Sequence, residues 1–194
     1  MPLVLGLGNP GDRYAHTRHN LGWGVVERLV SRWKATPLEP AREYLAWRAE
    51  AGGGEVSLMV PLTFMNASGE ALEAWRERRG LETGELLVLV DDVYLPLGRL
   101  RLRGSGSSGG HLGLESVEAT LGGRDWSRLR IGVGAAAGAA SLREHVLEVF
   151  GAEEEAAVKE LIERAADAAE CWCREGLTQA MNRYNRPEEE VPES

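Results

Sequence analysis

Four short segments, far apart in this 194-residue chain, each offer a polar side chain of chemical use beside an apolar run. The first, Gly6-Leu7-Gly8-Asn9-Pro10-Gly11, follows Leu3-Val4-Leu5, and the second is Thr17-Arg18-His19-Asn20. The third, Thr63-Phe64-Met65-Asn66, follows Val56-Ser57-Leu58-Met59-Val60-Pro61, and the fourth, Val90-Asp91-Asp92, closes Leu86-Leu87-Val88-Leu89. In open α/β sheets, ligands bind outside the carboxyl ends of the strands, so such residues converge although the sequence separates them. An imidazole, a carboxylate and two carboxamides gathered in one crevice form a hydrolytic set that needs no metal. The carboxylate holds the imidazole in one tautomer and makes it more basic, as a general base requires.

Each member also has an ordinary reading. His19 stands between Arg18 and Asn20 at the entrance of a helical pattern that begins at Leu21. Asn20 is a candidate N-cap, which leaves His19 facing the strand ends. A histidine there is otherwise a surface or capping residue. Asp91 ends a wholly apolar strand, where a carboxylate serves catalysis or merely caps the next turn. His19 and Asp91 lie 72 positions apart, so only the fold can join them. Arg99, Arg101 and Arg103 alternate with Leu100 and Leu102, which points all three guanidinium groups to one strand face. Arg128 and Arg130 alternate in the same way. Such faces are either solvated or able to engage successive phosphates.

Three other motifs carry less. Gly6 to Gly11 matches the dinucleotide fingerprint G-x-G-x-x-G formally. Pro10, however, removes a backbone N–H from the cradle, and no amphipathic helix starts inside the glycine turn. Gly106-Ser107-Ser108-Gly109-Gly110 matches G-x-S-x-G, but it lies in a Gly/Ser run with no strand feeding directly into Ser108. Cys171 and Cys173 are two apart in a helical pattern and point to different faces, which argues against a disulfide or a shared metal.

Strand-like runs near 2–7, 44–51, 55–61, 86–91, 98–103 and 128–134 must position these groups. Helical patterns lie near 21–34, 68–79 and 112–121, and an almost wholly helical stretch runs from about 141 to 184. Alternating strands and helices predict an α/β fold with a mixed, mostly parallel sheet covered on both faces. Glu43 to Val60 breaks the alternation with two strands joined through Gly52-Gly53-Gly54, a hairpin pattern. The longest helix, expected from Ala152 to Arg174, carries an apolar stripe through Val158, Leu161, Ile162, Ala165, Ala168, Ala169 and Trp172. Gly104–Gly110 and Gly134–Ala140 are read as strand-to-helix loops, either flexible or able to approach a ligand closely. One domain is expected over 1–185, with 186–194 an acidic, disordered tail.

Composition is ordinary for a globular protein, 43% hydrophobic and 27% charged. The net charge of −8 seems to exclude nucleic acid, yet residues 131–194 hold 6 basic and 14 acidic side chains while residues 1–130 hold 16 of each. The acidic excess lies wholly in the C-terminal third. Screening beyond ~8 Å leaves a local basic patch free to bind phosphate. Met1-Pro2-Leu3-Val4 has no basic leader, and no run is long enough to span a bilayer, so a cytoplasmic protein without membrane contact is expected.

The four segments, in this order and spacing, resemble bacterial peptidyl-tRNA hydrolases, and the resemblance runs from about Leu3 to Tyr184. It implies a single α/β domain on a mixed twisted sheet, acting as a monomer without cofactor or metal on the ester between a peptide and the terminal ribose of tRNA. It implies His19 as general base, Asp91 as its partner, and Asn9 and Asn66 as the carboxamides that position the carbonyl or the water. It also implies Tyr14 and Phe64 as substrate-binding residues, and Arg101, Arg103 and Arg130 as residues facing the tRNA acceptor stem. Three departures stand out. Leu112 in Gly109-Gly110-His111-Leu112-Gly113 replaces a customary asparagine, Tyr94 replaces an aspartate, and the alanine-rich 135–140 segment replaces one often carrying histidine, proline and glycine. Two alternatives remain open: a catalytically silent RNA-binding relative and a serine esterase.

Overall fold

The computed structural model describes residues 1–135 and 141–186, and within them a seven-stranded sheet is covered by helices on both faces. The strands are β1 (Leu3–Gly6), β2 (Thr36–Pro37), β3 (Tyr44–Ala51), β4 (Gly54–Pro61), β5 (Leu86–Asp92), β6 (Leu100–Arg103) and β7 (Ser127–Gly132). The helices are α1 (Leu21–Arg32), α2 (Ser68–Arg79), α3 (Leu112–Leu121), α4 (Leu142–Leu147), α5 (Glu155–Glu175) and α6 (Leu177–Tyr184). The sheet order is β2-β3-β4-β1-β5-β7-β6. Strands β4, β1, β5 and β7 run parallel, while β3, β2 and β6 add antiparallel edges. The α/β expectation with a mixed, mostly parallel sheet holds.

Period-2 alternation in the central strands divides the core. Val4, Leu87 and Leu89 pack with Val25, Val26 and Leu29 of α1 and with Leu161, Ala165 and Ala169 of α5. Leu3, Leu5, Val88 and Val90 point the other way, against Leu72 and Trp75 of α2 and Leu114 and Val117 of α3. These strands are apolar on both sides because both faces are covered. Helix α1 sits unusually close to the sheet. A Cβ at Gly22 would lie 2.3 Å from the Leu89 carbonyl oxygen, and one at Gly6 the same distance from that of Gly22. This close approach brings the turn before α1, which carries His19, over the ends of β1 and β5.

Four expectations are corrected. The two-residue edge strand β2 was not foreseen, being too short to show a period. The helical stretch from 141 breaks twice, first between α4 and α5, where Val149 forms a bridge with Thr17, and again at Gly176, whose φ of 83° suits glycine. Arg99 precedes β6 rather than lying within it, so two arginines, not three, alternate on that strand. Asn20 does not cap α1 with its side chain, which turns instead to the Asn9 backbone. The hairpin of β3 and β4 forms with the turn at Gly52 and Gly53. The tail proposed for 186–194 lies, beyond Arg186, outside the described residues, as does most of the alanine-rich 135–140 segment.

Candidate active site

Strands β1, β4 and β5 end side by side; the segments after β1 and β4 carry Asn9 and Asn66, and Asp91 and Asp92 are the last two residues of β5 itself. His19 sits in a single turn of 3-10 helix, Arg18–Asn20, at the head of α1. Its Nδ1 lies 2.9 Å from Oδ1 of Asp91. The fold thus joins directly two residues that lie 72 positions apart in the sequence.

A second imidazole meets the same oxygen. His111 Nε2 is 2.9 Å from Asp91 Oδ1, and its ring centroid is 4.9 Å from that of His19. His111 is the N-cap of α3: its Nδ1 accepts from the backbone N–H groups of Gly113 and Leu114 at 3.2 and 3.4 Å. An acceptor Nδ1 carries no proton, so His111 Nε2–H is the donor to Asp91. Asp91 is 1% exposed, and its Oδ2 is buried without a hydrogen-bond partner among the described residues. Burial disfavours its charge, but the facing imidazoles of His111 and His19 outweigh that cost and hold the carboxyl well below the usual carboxylate range. An ionised Asp91 takes the Nδ1 proton of His19 as a hydrogen bond, which leaves His19 Nε2 as an unprotonated acceptor in the neutral ring.

His111 was missed as a site residue by the sequence reading. Its one signal there is the same as that of His19, an imidazole at the entrance of a helix that follows a strand end. His19, Asp91 and His111 are the one trio of metal-ligating type found among the described residues, their ligand atoms lying within 4.8 Å of one another. Both imidazole nitrogens stand at hydrogen-bond length from one carboxylate oxygen, so the trio as arranged is hydrogen-bonded and proton-handling.

The carboxamides join this centre through the backbone. Asn20 Nδ2 donates to the Asn9 carbonyl at 2.9 Å, and the Asn9 N–H donates to Asn20 Oδ1 at 2.8 Å. Asn9 Oδ1 then accepts from the Met65 N–H at 2.8 Å, which ties the first loop to the turn bearing Asn66. That bond engages the oxygen and leaves the N–H₂ group as the donating end of the Asn9 side chain. A Cβ at Gly113 would lie 2.5 Å from Met65 Sδ and 3.2 Å from His111 Cε1, so only glycine lets α3 approach here. A closed circuit results, from His19 through Asn20, Asn9, Met65, Gly113, His111 and Asp91 back to His19. Asn66 is exposed beside it, and Phe64, 56% exposed, meets the Tyr14 ring edge-on at 6.4 Å.

A cavity of about 390 Å³ opens on the trio, with Tyr94, Ser108, Leu112, Arg130 and Arg143 on its wall. Asn9, Asn66, Tyr14 and Phe64 are not on that wall, so the structure does not bring all the sequence-predicted site residues into one cavity. Ser108 Oγ bonds Glu115 Oε1 at 3.3 Å and accepts from the Gly110 N–H, with no imidazole as partner. The serine–histidine pairing of a nucleophile elbow is thus not formed at Ser108 among the described residues.

This arrangement has relatives. A sequence model of the peptidyl-tRNA hydrolase family matches residues 3–192. The chain belongs to the peptidyl-tRNA hydrolase family. It is 45% identical over 187 residues to the peptidyl-tRNA hydrolase of Synechococcus sp. (strain JA-2-3B'a(2-13)), covering 95% of this chain and 83% of the relative. It is 42% identical to that of Syntrophomonas wolfei, over 95% of this chain and the whole of the relative. The crystal structure of the Acinetobacter baumannii peptidyl-tRNA hydrolase superposes with a TM-score of 0.88 at 31% identity, covering 95% of this chain and 94% of that one.

Within this family member the arginines divide by depth. Arg101 pairs with Arg130 in register, and Arg103 with Arg128, so all four share one sheet face. Arg101 and Arg103 are exposed. Arg130 is engaged, donating to Asp92 Oδ2 at 3.2 Å and to the carbonyls of Ser107 and Ser108 at 2.6 and 3.2 Å. Arg128 has no exposed surface; it stacks 3.6 Å over Trp126 and donates to the carbonyls of Gly106, Arg124 and Trp126. Burial pulls its guanidinium down to about 10, which still leaves it charged at neutral pH. Alternation gave the right face for Arg128 and the wrong environment. Between them, Arg128 and Arg130 pin the Gly/Ser loop of 104–110 that leads to His111.

Proposed function

We propose that this protein hydrolyses the ester joining a peptide to the terminal ribose of tRNA and thereby frees both for reuse in translation. The observation that carries the reading is the 2.9 Å pairing of His19 Nδ1 with a buried, ionised Asp91, which presents Nε2 as the base. His19 Nε2 takes a proton from water as its oxygen bonds to the ester carbonyl carbon. The tetrahedral oxyanion is met by the Asn9 and Asn66 amide donors. Its collapse breaks the carbon–oxygen bond to the ribose, and the departing oxygen receives the proton held on Nε2. An ester leaves readily enough for this sequence without a metal or a covalent acyl-enzyme. Exposed Phe64 and half-buried Tyr14 provide an aromatic edge for the peptide, while Arg101 and Arg103 offer two exposed guanidinium groups to the acceptor stem, with Arg130 holding the loop beside them.

All the named groups come from one chain, so a monomer suffices for the reaction. No described helix is long and apolar enough to cross a membrane, and the proposed substrate arises in the cytoplasm. Incubation with a labelled peptidyl-tRNA tests the proposal. Release of free peptide and of tRNA with an intact terminal ribose, unaffected by a serine-directed phosphonate, is expected. Tight tRNA binding with no release would favour the silent RNA-binding alternative, for which the exposed Leu112 leaves room.

A further inference from the structure

Arg18, the residue before His19, is 7% exposed and reaches across the molecule. Its NH1 donates to the Val133 carbonyl just beyond β7 at 3.2 Å and to Glu154 Oε1 at 3.0 Å, and its NH2 donates to Glu154 Oε2 at 2.7 Å. The guanidinium also lies 4.5 Å over the Phe150 ring. Its backbone N–H bonds the Glu148 carbonyl at 3.0 Å, and Thr17 forms a β-bridge with Val149. Glu154 is fixed in turn, its Oε2 accepting from the Gly151 N–H at 2.8 Å.

A buried ion pair is weak evidence for stability, because desolvation offsets much of the attraction. Here the cost is visible, since Arg18 Nε is buried with no acceptor among the described residues. What the fork does achieve is geometry. The turn of Arg18–Asn20 is only three residues long and has little internal hydrogen bonding to orient it. On one side of His19, Asn20 locks to Asn9. On the other, Arg18 locks to Val133 just beyond β7, to the 148–150 segment and to the entrance of α5.

We propose that Arg18 and Glu154 are positioning residues for His19, a bidentate clamp that sets where the imidazole sits against Asp91. The clamp rests on the hydrolytic reading and deepens it. A planar fork meets both carboxylate oxygens with two N–H bonds while also reaching the Val133 carbonyl, a bidentate geometry that a lysine ammonium does not reproduce. The clamp also spans the ends of α4, whose Leu142, Arg143 and Val146 line the catalytic cavity, so wall and base are registered by the same contact.

The test compares the parent with Arg18→Lys, Glu154→Gln and the double variant on peptidyl-tRNA, well below each melting temperature. The clamp predicts a kcat loss of about tenfold or more for Arg18→Lys, with KM changed less than about twofold. Glu154→Gln should lose less in the same direction, and the double variant should fall short of the summed effects because both remove one interaction. In ¹⁵N-histidine NMR spectra, His19 should pass from a single Nδ1-protonated tautomer in the parent to a mixture in the variants. Unchanged kcat with an unchanged His19 spectrum overturns the proposal, and so does a loss confined to KM or to thermal stability. If Arg18→Lys fails to fold, the partly exposed Glu154 still allows Glu154→Gln to decide. The spectrum needs no substrate, so a parent without turnover would count against the hydrolytic reading while the clamp is judged on the tautomer.

Discussion

Asp91 accepts two imidazole N–H groups on one oxygen while almost wholly removed from water, and this concentration of hydrogen bonds makes its charge a stability term. Its folded carboxyl titrates below the unfolded value of about 3.9. The ionised form therefore contributes stability above that pH, and the contribution is lost as pH falls toward the folded value. Asp91→Asn should lower the melting temperature most at neutral pH, and the gap from the parent should narrow below about pH 4. Melting curves at steps from pH 7 to pH 3 check this; a gap that stays constant or widens on acidification contradicts it. Leu112 offers a second test among single side chains. It is 51% exposed at the first position of α3, on the cavity wall, and His111 rather than residue 112 caps the helix. Leu112→Asn thus buries no amide and should shift stability by no more than about 0.5 kcal/mol. A new hydrogen bond contributes about 0.5–1.5 kcal/mol, so kcat/KM should rise several-fold at most. A large drop in melting temperature without kinetic gain would mean that leucine packs where the site now needs it.

Among the strands and helices, the readable features were those governed by local pattern. Apolar runs closing on Asn9 and Asp91, and the helical period from Leu21, were legible because both faces of the sheet are covered and the pattern is long. Depth was not legible. The same alternation that put Arg101 and Arg128 on one face could not show that the Gly/Ser loop folds over Arg128 and leaves Arg101 open. Asn20 has the composition of a cap, but a tertiary partner, the Asn9 backbone, won its side chain. His111 escaped notice because its role depends on Asp91, 20 positions away and on another element. The β6 face yields a prediction of its own. Replacing Arg101 and Arg103 together with serine should weaken tRNA binding at low salt and reduce the slope of log K against log salt by about 1 for each phosphate that is no longer neutralised. Cleavage of a small N-acylated ester should be unaffected. Equal affinity and slope in parent and variant would assign both arginines to a solvated face.

For the whole molecule, much of the acidic surplus of the C-terminal third lies along α5 and at its entrance. Arg28 and Arg32 of α1 meet Glu163 and Asp167 of α5, so part of that surplus is neutralised where the two helices pack. At the far edge of the sheet, Asn185 imitates a strand, accepting from the Leu102 N–H at 2.6 Å and donating to its carbonyl at 3.1 Å. This pairing ends the exposed edge of β6 beside the two exposed arginines and limits strand-to-strand association there. The C-terminal helices thus brace the sheet while the strand ends carry the chemistry. Whether His19 is the base that the whole fold serves is decided by single-turnover cleavage of peptidyl-tRNA at saturating enzyme, by the parent and by His19→Ala. The parent should release peptide and intact tRNA, while the variant, equally folded and equally able to bind tRNA, should cleave about 10²–10⁴-fold more slowly. A variant whose cleavage stays within a few-fold of the parent rate would remove His19 from the reaction and leave the Asp91 pairing without a catalytic purpose.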